Sequence, residues 1–188
     1  MTPLVVAFLG ISGVGKSTFL KKAAETLAFQ HMSAGSLIGR ARDAQIAHDR
    51  LRLEDMAENQ RLLVRGFHMA KDAHASIVVL DGHAVIDGPG GIVAIDPEVF
   101  RRLGVGAIAH LEADPWQILA NRDGDVSRIR PSRSAEELGE HQRLSLATSQ
   151  AIAVMLRVPL ARFGYGETTR FRSFVQTDRS NADQSQVR

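Results

Sequence analysis

Apolar residues along this chain fall in short unbroken runs, separated by stretches in which they recur every three or four positions. Leu4 to Leu9 is the first run, continuous as in a strand buried on both faces; "SIVVLD" (Ser76 to Asp81) and "VGAIAHLE" (Val105 to Glu112) repeat it. A brief extended stretch near Gln30 to Ser33 and the late run "VPLARF" add two more strands. Between them the period changes. A helix is predicted from Lys16 to about Ala28, and Leu53, Met56, Leu63, Phe67 and Ala70 mark one helical face. Three helix starts carry caps: Asp96 before Pro97, Asp114 before Pro115, and Ser134 with Glu137 as a capping box that opens a long helix to about Leu156. From Gly164 onward the sequence turns polar, and its final dozen residues read as a loose tail. Strands alternating with helices specify a parallel sheet covered on both faces, with ligands at the carboxyl ends of its strands.

The first strand runs directly into "GISGVGKST", in which Gly10, Gly15, Lys16 and Ser17 satisfy the spacing G-x-x-x-x-G-K-[ST] between a strand and a helix. Glycines let the backbone turn tightly and aim its N–H groups inward, and the following helix adds the positive end of its dipole. Such a loop, here Gly10 to Thr18 with Ser12, Gly13 and Val14 between the fixed positions, holds the phosphates of a nucleoside triphosphate. Lys16 is placed to reach the β and γ phosphates, and the Ser17 hydroxyl to ligate Mg2+. Asp81 ends an apolar strand at the edge where it meets the same magnesium; aspartate is also what an ordinary turn favours.

Composition narrows the setting. The chain has 188 residues and a formal net charge of +2, too mild to argue for a nucleic-acid partner, and none is expected. With one Trp and one Tyr, platforms for stacking bases of a nucleic acid are scarce. There is no cysteine, so thiolate chemistry and cysteine metal sites are excluded, and a cytoplasmic setting fits. No apolar run approaches the ~18 residues of a membrane span, and Leu4 to Leu9 lacks the basic leader of a secretion signal. Basic residues are mostly arginine; lysine occurs only at Lys16, Lys21, Lys22 and Lys71. Arg122, Arg128, Arg130 and Arg133 share one polar loop between two capped helices. That is the construction of a lid that closes arginines over a transferring phosphoryl group, though a solvated basic loop has the same composition.

The pieces "GISGVGKST", "SAGSLIGRA", "DRLR", "LDGHAVID", "LEADPWQILANRDGD" and "SRIRP" follow one another in an order that resembles the adenylate kinases of the archaeal type, from about Leu4 to Arg162. The resemblance implies a three-layer P-loop NTPase fold, an α/β protein with a five-stranded parallel sheet. Residues 1–165 would form one kinase domain, with a helical flap over about 29–75 and a short arginine-rich lid over about 122–133, and residues 166–188 a polar C-terminal tail. It implies the reaction ATP + AMP = 2 ADP with Mg2+, small nucleotides as the partners, and homo-oligomers of the kind the family often forms. It assigns Gly35, Ser36, Arg40, Arg50 and His83 to the acceptor and Arg122, Arg128 and Arg130 to the lid, with Lys16 catalytic. Gly35 and Ser36 also suit a plain helix start, and His83 a packed or surface histidine. Three features depart from the family. Ser36 stands where it often has aspartate, Asp87 where the archaeal pattern carries an arginine, and its closing C-terminal helix is not evident here. A carboxylate at 87 would remove positive charge from beside the acceptor phosphate. Two other readings therefore remain open: a kinase for a different nucleotide or small acceptor, and a nucleotide-hydrolysing switch or accessory ATPase. The second lacks the acidic pair of many motor ATPases, since Gly82 follows Asp81.

Overall fold

The computed structural model of the chain describes residues 2–43, 56–88, 91–125 and 131–185. Five parallel strands form the sheet, in the order β2-β3-β1-β6-β7: β1 (Leu4–Leu9), β2 (Gln30–Ser33), β3 (Ile77–Asp81), β6 (Val105–Leu111) and β7 (Leu160–Phe163). The unbroken apolar character of β1 follows from its central place, where both faces of the strand are covered. Its residues alternate strictly. Leu4, Val6 and Phe8 join one core cluster, and Val5, Ala7 and Leu9 the other.

The first cluster lies under α1 (Lys16–Ala23) and α7 (Thr168–Ser185) and includes Phe19, Phe163, Phe171 and Val175. The second lies under α2 (Ala34–Asp43), α3 (Met56–Ala70) and α4 (Pro97–Arg102), and under the far half of α6 (Ala135–Leu156). Between the two, α5 (Pro115–Asp123) sends Ile118 into the first cluster and leans on α6. The predicted caps form: the Asp96 carboxylate accepts from Glu98 N–H, that of Asp114 from Trp116 and Gln117 N–H, and Ser134 and Glu137 close their capping box.

Three expectations from the sequence change. Helix α1 ends at Ala23 rather than near Ala28, because the chain tightens into turns at Glu25 and Thr26 and brings Leu27 back into the core. A two-stranded antiparallel hairpin, β4 (Val85–Gly88) with β5 (Gly91–Ala94), follows β3 and has no counterpart in the periodicity. The supposed polar tail is helical from Thr168, so the apparent lack of a closing helix is corrected. Phe171 and Val175, one turn apart, are fully buried, and the Phe171 ring meets those of Phe8, Phe19 and Phe163 edge-on. Burying one phenylalanine stabilises by about 1.5–3 kcal/mol, enough for two such residues to hold an otherwise polar helix in place. Among the described residues no helix is long and apolar enough to cross a membrane.

Candidate active site

The loop after β1 opens a cavity of about 880 Å³ across the carboxyl ends of the strands. Helix α1 begins at Lys16 with no side-chain cap and no acidic residue in its first turn, so its N–H groups face the loop's concavity. Gly13 and Gly15 have φ of 89° and 95°, the left-handed region that glycine enters without strain. Close neighbours fix the loop further. A Cβ on Gly13 would lie 2.5 Å from Arg122 Cγ, and one on Gly15 would lie 2.7 Å from Tyr165 Cε2.

Lys16 is buried, and its ammonium donates to the carbonyls of Gly10 (2.9 Å) and Ile11 (3.3 Å). Asp81 Oδ1 lies 3.8 Å from the same nitrogen, and Asp81 Oδ2 lies 4.0 Å from His31 Nε2. His83 Nδ1 donates to the Gly10 carbonyl at 2.8 Å, which places the ring proton on that nitrogen. From the other side, Asn121 Nδ2 donates to the Gly13 carbonyl (2.9 Å), and Gln117 Nε2 donates to Asn121 Oδ1 (3.0 Å). Ser17 and Thr18 line the cavity beside Lys16. For a metal, Ser17 and Asp81 offer oxygen donors, and no group of three or more metal-ligating side chains occurs among the described residues. That donor set fits a hard cation that takes one or two side chains and completes its shell with phosphate and water.

The remaining expectations divide. Ser12, Gly13, Gly15, Gly35, Ser36 and His83 line the cavity. Val14 is fully buried and its side chain belongs to the core beneath the loop, while Gly10 contributes its carbonyl to Lys16 and His83. Arg40, on α2, is exposed and does not line the cavity. Arg50, Arg128 and Arg130 lie outside the described residues. Arg122 ends α5 with its stem on Gly13 and its guanidinium toward Asp87.

Asp87 does not line the cavity. Strand parity sends Ile86 into the cavity and Asp87 to the opposite face of the hairpin. There its carboxylate, 6% exposed, accepts from Arg133 Nη2 at 2.9 Å and Nε at 3.4 Å and lies 3.8 Å from Arg122 Nη2. The Arg133 hydrogen bonds hold Asp87 below the usual carboxylate pKa, against burial acting the other way. Beside them His141 is buried with both ring nitrogens unpartnered, and burial lowers its pKa.

Sequence reasoning missed His31, Asn59, Gln60, Asn121, Asp125 and Tyr165, all of which line the cavity. Asn121 and Asp125 had one signal, their place beside Arg122 in "LANRDGD"; the others are gathered by topology alone.

Comparison with known proteins agrees with this construction. Residues 9–139 match the family described as AAA domain. The chain is 30% identical over 159 residues to an adenylate kinase of Methanoculleus marisnigri, with 79% of this chain and 83% of that one covered. It is 31% identical to an adenylate kinase of Thermococcus kodakarensis, covering 81% of each. In fold it resembles a shikimate kinase from Acinetobacter baumannii in complex with shikimate (TM-score 0.56, 14% identity, 100% and 97% covered). It also resembles a gluconokinase from Sinorhizobium meliloti (TM-score 0.52, 13% identity, 98% and 96% covered). With its phosphate loop, parallel sheet and these relatives, the chain belongs to the archaeal-type adenylate kinase family of P-loop kinases.

Proposed function

We propose that the protein transfers the γ-phosphoryl group of ATP to AMP, giving two molecules of ADP. The observation that carries this reading is a cavity with two unlike ends meeting at Lys16 and Asp81. Over β1, β6 and β7 lie the phosphate loop, Asn121 and Tyr165, a place for a triphosphate and its base. Over β3 and β2, apolar Ile38, Leu63 and Ile86 stand with the amides of Asn59 and Gln60. Apolar walls with a few amides suit a planar base that also needs hydrogen bonds.

The loop amides and the amino end of α1 bind the triphosphate. Lys16 exchanges the carbonyls of Gly10 and Ile11 for β and γ oxygens, and Ser17 and Asp81 would hold Mg2+, which supplies charge neutralisation on those phosphates. An oxygen of the acceptor phosphate attacks the γ phosphorus in line. The new O–P bond forms as the bond to the β–γ bridging oxygen breaks, and that oxygen leaves on ADP with the electron pair. Arg122, in the last turn of α5 with its stem against Gly13, would add positive charge beside the loop.

The test is ADP formation across AMP, GMP, CMP, UMP and hydroxyl acceptors such as sugars and cyclic acids, with a control lacking acceptor. Preference for AMP supports the proposal; turnover only with a hydroxyl acceptor, or without acceptor, replaces it.

A further inference from the structure

In the proposed reaction the triphosphate has a direction. Its γ end must meet an acceptor that enters over β3 and β2, so its ribose and base extend the other way, past Gly15 toward β6 and β7. At that end stands Tyr165, the chain's one tyrosine, in the turn between β7 and α7. Two aromatic side chains line the cavity among the described residues. Phe100 is buried on α4, whereas Tyr165 is 58% exposed. An exposed ring by itself says little, but this one is placed. Gly164 N–H donates to Glu167 Oε2 at 2.6 Å, and Gly166 turns the chain with a φ of 91°. Arg170 Nη1 donates to Glu167 Oε1 and to the Arg162 carbonyl, both at 3.0 Å, and its guanidinium lies over the Phe163 ring, 5.3 Å from the centroid. The turn is thereby tied to both β7 and α7. The Cε2 edge of the tyrosine rests on Gly15, where any side chain would collide with it, and the ring lines the cavity beside the phosphate loop.

We infer that Tyr165 is the platform on which the base of the donor nucleotide stacks. This rests on the reading of the phosphate loop as the donor site. Tyrosine offers a large, flat surface with two torsions to fix, so contact costs it little freedom. A stack reads the face of a base, and purines cover more of the ring than pyrimidines do. The donor site then selects on ring area at Tyr165 and on phosphate at the loop, by two separable contacts.

The experiment is calorimetric binding to the full chain with Mg2+ and no acceptor, using ATP, GTP, CTP, UTP and inorganic tripolyphosphate, which offers the phosphates without a base. Tyr165→Leu keeps apolar bulk on Gly15 but has no aromatic face. It should weaken ATP binding by about tenfold or more and leave tripolyphosphate within about twofold. Tyr165→Phe should keep most of the affinity for ATP. Purine triphosphates should bind the wild type several fold more tightly than pyrimidine triphosphates, and Tyr165→Leu should lose most of that margin. Equal weakening of ATP and tripolyphosphate would mean that the ring only shapes the loop, and overturns the inference. So do a Tyr165→Phe as weak as Tyr165→Leu, an unchanged affinity for ATP in Tyr165→Leu, and a wild type that binds pyrimidines as tightly as purines. A wild type that binds triphosphates with this pattern but transfers phosphate to no acceptor defeats the proposed reaction and leaves the role of Tyr165 standing.

Discussion

The two ends of the cavity are held in place by different forces. The phosphate loop is tied by hydrogen bonds from three directions: Lys16 and His83 on the Gly10 carbonyl, and Asn121 on that of Gly13. The end over β3 and β2 is shaped by packing of α2 on α3. Gly66 lets the two helices approach so closely that a Cβ there would lie 2.5 Å from the Leu37 carbonyl oxygen. Directional bonds fix the phosphate-loop end, while a packed helix pair sets the width of the other.

The contrast can be broken most severely at Lys16. Lys16→Ala should reduce ADP formation by at least about 10³-fold, since the buried ammonium has no lysine nearby to replace it. Turnover within a few fold of wild type would remove Lys16 from the mechanism. Next is Gly66→Ala, in which the methyl meets backbone rather than a yielding side chain. It should raise KM for the acceptor by about tenfold or more, with KM for ATP nearly unchanged. Equal effects on both substrates would dissolve the distinction between the ends. Asn121→Ala should do the converse: the Gly13 carbonyl loses its partner, at a cost of about 1–1.5 kcal/mol, and KM for ATP rises by up to about tenfold while that of the acceptor stays put.

The smallest effect is a pH dependence of stability. His110 lies on β6 beside Leu9, fully buried with Nε2 against Ser145 Oγ at 3.1 Å. Burial pushes its pKa from 6.5 down to about 4. The unfolded chain therefore binds a proton in that window that the folded chain does not. Stability is fully present above pH 6.5 and declines as pH falls from 6.5 toward 4. Urea midpoints measured across that range should fall with pH in the wild type and less steeply in His110→Gln; identical slopes would assign the effect elsewhere.

The phosphate loop was legible because all its parts are contiguous, and the central strands and helix caps because each depends on residues a few positions apart. The β4–β5 hairpin was not, since four-residue strands leave too short a pattern. Helix α7 was misread because polar composition outweighed a single apolar stripe, Phe171 and Val175. The direction of Asp87 could not be read either: it depends on hairpin parity, and the hairpin was unseen. His31, Asn121 and Tyr165 come from three distant segments, and only the order of strands in the sheet brings them to one cavity.

The seat of α7 also bears on how the protein is made. Phe8 and Phe19 flank the phosphate loop at its two ends, yet the ring that seals them, Phe171, is synthesised long afterwards. While the ribosome still covers α7, the strand and helix that frame the nucleotide have an open underside, so a growing chain should acquire nucleotide affinity only after that helix emerges and docks.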